Sequence, residues 1–64
     1  MAAQPQVAVQ FRPMRQADVP LVAAMEARAY AFPWTAGIFR DCLGAGYACW
    51  VAESPDGLLG YGVL

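Results

Sequence analysis

The chain has no lysine and no histidine, and charged residues make up only 14% of its 64 positions. The absence of lysine excludes a Walker-type phosphate loop and a Schiff-base lysine, because both need the ε-amino group. The absence of histidine removes the usual base that activates a serine or cysteine nucleophile. Four scattered arginines against five acids, a net charge of −1, do not form the basic face of a nucleic-acid binder. We therefore expect no nucleic-acid partner and no catalytic triad.

Long apolar segments are also missing, although 59% of the residues are hydrophobic. The longest stretches without a charged residue are eleven residues long, whereas a bilayer-spanning helix needs about 18. The start of the chain has no basic residue before an apolar core, which argues against a secretory signal. Cys42 and Cys49 have no histidine nearby and are too few for a four-ligand metal site. We expect no membrane segment, no metal, and free thiols in the cytoplasm.

The apolar residues predict two helices. The first covers 19–30, with Asp18 as an N-cap whose carboxylate accepts backbone N–H groups. The second covers 36–43, with Thr35 as its N-cap and Gly44 as its C-terminal stop. The residues of the first helix that share an apolar face at a 3.6-residue period are Val22, Met25 and Ala29.

The remaining pattern predicts three strands. Alternating apolar residues over 7–11 indicate a half-buried strand that follows a disordered lead at 1–6. Residues 47–53 and 58–64 are predicted to form an antiparallel hairpin around a type I turn at 54–57. The order is therefore strand, helix, helix, strand, strand, and the fold class is α+β. Because the last strand carries no charge, we expect further chain or a partner to cover its edge.

Few residues are candidates for chemistry. Glu26 lies in the middle of the first helix, one turn before an aromatic loop, where a solvated position is favoured over a place in a site. The loop Tyr30–Trp34 is either packed into the core or forms the wall of a peptide groove, and composition does not decide between these. Gly60 and Gly62 share one strand face, where close packing by a helix is favoured over a bound ligand.

One segment resembles a known family. Residues 26–39 follow the pattern E-x-R-A-x-A-F-P-W-[ST]-x-x-x-F, which is similar to the segment joining the first two helices of bacterial ribosomal-protein-alanine N-acetyltransferases. These enzymes belong to the GNAT superfamily. Further likeness lies at Phe11–Met14 and Asp18–Pro20, near the start of that fold, and at Trp50–Glu53 with Asp56–Gly57 and Gly60–Tyr61, in its second and third strands. The resemblance covers about residues 9–64.

The resemblance implies a GNAT-like acyl-CoA N-acyltransferase fold and an acetyltransferase activity. In that family, acetyl passes from acetyl-coenzyme A (acetyl-CoA) to the α-amino group of an N-terminal alanine on a small-subunit ribosomal protein. The family's cofactor loop, R/Q-x-x-G-x-G/A, follows a fourth strand, and no such loop occurs in residues 1–64. The resemblance therefore implies the N-terminal part of a single GNAT domain, incomplete and without its cofactor-binding half. The chain alone is expected to be inactive.

No catalytic, cofactor-binding or metal-binding residue is assigned in this chain. By resemblance, Phe32, Pro33, Trp34 and Thr35 match the loop that borders the groove for the acceptor peptide, and Glu26 is a weaker candidate for the same groove. Two alternatives stay open. One is a GNAT enzyme that acts on another amine, and the other is a small non-catalytic module that pairs through its edge strand. The short chain is also expected to be prone to aggregation or edge-strand pairing.

Overall fold

A computed structural model describes residues 8–64 of the chain as a three-stranded antiparallel sheet with two helices packed on one of its faces. This confirms the α+β class and the predicted element order. The lead at 1–6 and the first residue of the predicted first strand lie outside the described residues. The elements are β1 (Gln10–Pro13), a short 3-10 helix (Gln16–Asp18), α1 (Val19–Ala29), α2 (Ala36–Gly44), β2 (Cys49–Ser54) and β3 (Gly57–Val63).

The strand order in the sheet is β1-β2-β3, so β2 is central and the other two strands lie at the edges. Phe11 is opposite Ala52 across the first pair, and Val51 is opposite Tyr61 across the second. Since side chains alternate along a strand, Val51 and Tyr61 face the helices together. The opposite face of the sheet carries Phe11, which is 75% exposed.

The β2–β3 hairpin forms as predicted. Pro55 and Asp56 are the two turn residues, and neither has a positive φ, as a type I turn requires. Gly57 follows with a φ of +129°, a conformation that side chains disfavour. A register shift between Ala52 and Glu53 shows that the hairpin is bulged. A type I turn followed by a positive-φ glycine is the usual sequence for such a hairpin.

The core is small and lies between the helices and the sheet. Phe39 and Val51 are each 1% exposed, and Val19 and Val22 are fully buried. Leu58, Tyr61 and Val63 pack against this cluster from β3. Strand β3 therefore contributes three side chains to the core, while Leu59 and Leu64 remain exposed.

The end of α2 differs from the prediction. Gly44 is still helical, and the left-handed residue that ends the helix is Gly46, with a φ of +84°. The Gly46 N–H donates to the Leu43 carbonyl, and the Tyr47 N–H donates to the Cys42 carbonyl. These two bonds define a Schellman motif, which requires the left-handed residue at this position. At the start of α2, Thr35 is the predicted N-cap, and its Oγ1 accepts the Ile38 N–H at 3.3 Å.

Asp18 precedes α1 but does not cap it. Its carboxylate accepts two hydrogen bonds from the Arg12 guanidinium, at 2.8 and 2.9 Å, and one from the Arg15 N–H at 2.8 Å. Arg12 also donates to Glu53 at 2.8 Å. The predicted cap is wrong because the 3-10 helix runs directly into α1, and the carboxylate instead bonds Arg12 on β1, which in turn bonds Glu53 on β2.

This ion network predicts a loss of stability in acid. The Arg12 guanidinium lowers the pKa of Asp18 to about 2, and it also holds the pKa of Glu53 below its ordinary value. A lowered pKa stabilises the folded state above the unfolded value, and this contribution disappears as the pH falls from about 3.8 to about 2. Unfolding by denaturant across this range should show falling stability, with a flatter dependence in Asp18→Asn.

Asp41→Asn is the matched control, because Asp41 is an exposed acid on α2 with no hydrogen bond from Arg12. It should keep the acid dependence of the parent chain. The same steep dependence in Asp18→Asn as in the parent would contradict the role given to this carboxylate.

Candidate functional site

The candidate site is a pocket where the end of α1, the α1–α2 loop and β3 meet. Its cavity has a volume of about 230 Å³ and opens to solvent. The side chains and backbone that line it are Glu26, Tyr30, Trp34, Phe39, Tyr61, Gly62 and Val63. It therefore combines one carboxylate with four aromatic rings.

Glu26 is the polar centre of this pocket. Its side chain is on the buried face of α1, with Val19 and Val22, and the residue is only 9% exposed. One carboxylate oxygen, Oε2, accepts the backbone N–H of Trp34 at 2.9 Å. The other, Oε1, accepts a short hydrogen bond from the Tyr61 hydroxyl. The solvated position favoured for Glu26 is wrong, because Glu26 connects the α1–α2 loop to β3.

The aromatic side chains hold the pocket in shape. Phe39 lies between Trp34 and Tyr61, with ring centroids 5.6 Å from the first and 5.7 Å from the second. Both pairs are edge-to-face, an arrangement that aromatic rings favour over direct stacking. Trp34 is 44% exposed, so one part of its ring packs on Phe39 while the rest faces solvent. The rings of Trp34 and Tyr61 are therefore fixed against the core through Phe39.

The structure brings together two of the five predicted site residues. Glu26 and Trp34 line the pocket and bond to each other. Phe32 is 95% exposed and does not line it, and Pro33 is half-buried outside it. Thr35 is the N-cap of α2. The aromatic loop is thus neither fully packed into the core nor a continuous groove wall, because its residues point in different directions.

Sequence reasoning missed Tyr61 as a site residue. It lies 35 positions from Glu26 in the chain, and only the pairing of β3 with β2 brings it across the pocket. An available signal was the alternation along β3, which places Tyr61 on the sheet face opposite to its two glycine neighbours, together with the apolar Val63. Nothing among residues 8–64 lies within 4 Å of a Cβ built at either glycine. The close helix packing favoured for them is therefore not found in the described part of the chain.

The Tyr61 hydroxyl should lose its proton at a higher pH than an ordinary tyrosine. Burial raises the pKa of Tyr61 to about 12, and its hydrogen bond to the Glu26 carboxylate and the charge of that group act in the same direction. In an alkaline titration followed by phenolate absorbance, one of the three tyrosines should ionise after the others. The protonated Tyr61 hydroxyl stabilises the folded state. This contribution is fully present below pH 10.0, the ordinary pKa of tyrosine, and is lost as the pH rises to about 12.

Two variants test this assignment. Tyr61→Phe should remove the late phase, and Glu26→Gln should move it towards lower pH because the negative charge is gone. Tyr47→Phe, which changes an exposed tyrosine outside the pocket, should leave the late phase in place. Persistence of the late phase in Tyr61→Phe would assign it to another tyrosine.

The glycine-rich loop that the resemblance implies for acetyl-CoA does not precede either described helix. A pyrophosphate binds at a helix N-terminus where free backbone N–H groups point at it. At α1 the carboxylate of Asp18 stands at the helix start and Pro20 has no N–H to offer. At α2 the Thr35 hydroxyl already accepts the Ile38 N–H.

The described residues give little support for a metal site or a reactive cysteine. Residues 8–64 contain no group of three or more His, Cys, Asp or Glu that could hold a metal ion. Cys42 and Cys49 are free, and burial raises the pKa of the Cys49 thiol, so this sulfur is less reactive than an exposed one. Neither helix in this part of the chain has the length and apolar character that a membrane crossing requires.

Comparisons of the chain with protein-family models, with curated proteins and with solved structures gave no match.

Proposed function

We propose that this chain is the acceptor-side part of a GNAT-type N-acetyltransferase, which acts in the cytoplasm on the α-amino group of an N-terminal alanine of a small-subunit ribosomal protein. The observation that carries the proposal is the hydrogen bond between Glu26 and Trp34, two residues of the motif segment that line a pocket open to solvent. A carboxylate beside aromatic walls suits a peptide that begins with a positively charged amine.

The element order supports the same proposal. The order of a strand, two helices and a hairpin is what the resemblance implies for the first part of a GNAT-like fold. In this arrangement the α1–α2 loop lies beside β3, so a peptide held by the loop also meets the third strand. The chain's share of the reaction is then to bind and orient the amine, while acetyl-CoA binds elsewhere in the enzyme.

A small first residue such as alanine suits this pocket better than a bulky one. The cavity of about 230 Å³ is below the range of about 300–1,000 Å³ typical of drug-sized ligands. An amine with a methyl side chain and the first peptide bond fits such a volume, whereas a bulky first side chain competes for space with Trp34 and Tyr61. The proposal therefore includes selection for a small first residue.

Peptide titration of the full chain tests the proposal. A peptide beginning with alanine should bind, and the same peptide acetylated on its α-nitrogen should bind at least about tenfold more weakly, because its charge is lost. A peptide beginning with tryptophan should also bind more weakly. Equal binding of the acetylated peptide, or no binding of the free one, would contradict the proposal.

A small amine separates the proposed substrate from the alternative within the same superfamily. If ethylamine binds as tightly as the alanine peptide, the peptide backbone contributes nothing and a small-amine substrate is favoured. Tighter binding of the peptide favours the ribosomal-protein substrate. The comparison is made at constant ionic strength, because screening weakens charge interactions at exposed sites.

One observation favours a second candidate function, a non-catalytic module that pairs through its edge strand. β3 is an edge strand without a charged residue, and Leu59 on it is 52% exposed. Unprotected edges of this kind can add a strand from another chain. Light scattering of the purified chain decides: a folded dimer lost on Leu59→Lys favours the module, and a folded monomer contradicts it.

A further inference from the structure

The pocket holds a buried negative charge that has no counter-charge among residues 8–64. Glu26 is 9% exposed, and the salt bridges among residues 8–64 join Arg12 and Arg15 to Asp18 and Glu53, not to Glu26. Its two hydrogen-bond donors, a backbone amide and a tyrosine hydroxyl, carry no net charge. Buried charges in proteins are normally paired, since an isolated charge in a low-dielectric site is costly.

The Glu26 carboxylate can accept further hydrogen bonds. A carboxylate offers about four lone-pair positions, and Glu26 uses one on each oxygen. The residue lines the cavity, so a ligand in the pocket lies next to it. A cation there would meet a negative charge already positioned by Trp34 and Tyr61, with no need for the side chain to reorganise.

The rest of the wall favours an organic cation over a metal ion. Tyr30, Trp34, Phe39 and Tyr61 line the same cavity. The negative faces of such rings attract alkylammonium groups, and aromatic pockets of this kind bind quaternary ammonium ions without any hydrogen bond from the ligand. A divalent metal would need several oxygen ligands, and the cavity lining supplies one carboxylate.

We infer that this pocket is a binding site for small alkylammonium ions, including fully methylated ones, with Glu26 as counter-charge and Trp34 and Tyr61 as the aromatic walls. The inference goes beyond the proposed function, because a quaternary ammonium has no proton to lose and cannot be acetylated. Selection in this site is by charge and size. N–H donation by the ligand is not required.

The test titrates the full chain with tetramethylammonium chloride and follows the amide signals of the pocket by NMR. Saturating shifts in the millimolar range are expected at Trp34, Tyr61 and Gly62, with smaller effects at Phe11 on the opposite sheet face. Sodium chloride at equal concentration controls for ionic strength, and tert-butanol, a neutral molecule of similar size, should produce little shift at these positions.

Three variants make the result specific. Glu26→Gln, which keeps size and a hydrogen-bond acceptor, should weaken tetramethylammonium binding at least about tenfold. Trp34→Leu should weaken it several-fold through loss of the ring. Asp41→Asn makes the same change in net charge at an exposed position and should have no effect.

Several results would overturn the inference. These are equal shifts with tert-butanol, unchanged affinity in Glu26→Gln, or no saturable shift at all. A chain without dispersed signals for Trp34 and Tyr61 would also overturn it, since the site is assigned to residues 8–64 alone. Cation binding without a preference for alanine peptides would support this inference and contradict the proposed function, so the two outcomes are separable.

Discussion

Replacing Phe39 by alanine should unfold the chain. Phe39 is 1% exposed and is the largest fully buried side chain of the core. Its ring lies edge-on to Trp34 and Tyr61, at 5.6 and 5.7 Å. A buried phenylalanine-to-alanine change costs about 3–5 kcal/mol, and the core of a domain this small rarely supplies more than about 3–5 kcal/mol of stability. Circular dichroism and denaturant unfolding should show no cooperative transition for Phe39→Ala.

Phe32→Ala is the matched control. It removes the same side chain from a position that is 95% exposed. Exposed substitutions change stability by about 0.5 kcal/mol or less. The control should therefore unfold at the same denaturant concentration as the parent. Equal losses in both variants, or a folded Phe39→Ala, would contradict the placement of the core.

Replacing Glu26 by alanine should release the α1–α2 loop. The change leaves the Trp34 N–H and the Tyr61 hydroxyl without their acceptor, while alanine itself suits the helix. Each unsatisfied partly buried donor costs about 1–3 kcal/mol, so the loss of both bonds should destabilise the chain by at least about that amount. Hydrogen exchange of the Trp34 amide should become faster, because its protection comes from this bond.

Two further variants, Glu26→Gln and Asp41→Ala, are the controls for Glu26→Ala. Glutamine keeps an acceptor oxygen, so it should retain part of the Trp34 protection and of the stability. Asp41 is exposed on α2, and its loss should affect neither. If Glu26→Ala leaves Trp34 exchange and the unfolding midpoint unchanged, Glu26 is a surface residue, as its sequence context first indicates.

The local elements could be predicted because their signals are local. The helix starts and ends agree with the structure to within one residue at each end, since Pro20, Thr35 and Pro33 constrain the backbone where they stand. The hairpin follows from Pro55, Asp56 and Gly57 in the same way. These residues act through their own φ and ψ preferences, which need no tertiary partner.

The buried face of α1 is predicted correctly at Val22, which is fully buried, and incorrectly at Ala29. The spacing of Val22, Met25 and Ala29 is helical, but the structure buries Val19, Val22 and Glu26 while Ala29 is exposed. The predicted set and the observed set both have a 3.6-residue period. They differ because the observed set places a glutamate, Glu26, in the core. That placement is acceptable only because Tyr61 supplies a hydrogen bond from 35 positions away, which no helical pattern encodes.

At Asp18, too, a tertiary contact decides what the local sequence does not encode. An aspartate before a proline-containing first turn is a good N-cap by sequence, and Asp18 does occupy the N-cap position. Its carboxylate bonds to Arg12 instead, because β1 brings that guanidinium within 2.8 Å. The same carboxylate also accepts the Arg15 N–H, so the backbone amide that it satisfies lies before the 3-10 helix and not in the first turn of α1.

The most direct test of the account is to map where an alanine-starting peptide binds on the full chain by NMR. The account predicts that the largest amide shifts lie at Trp34, Tyr61 and Gly62, around the Glu26 carboxylate, and that acetylation of the peptide's α-nitrogen removes them. Shifts centred on Phe11 and Trp50, on the opposite face of the sheet, would contradict it. So would shifts that survive acetylation of the peptide.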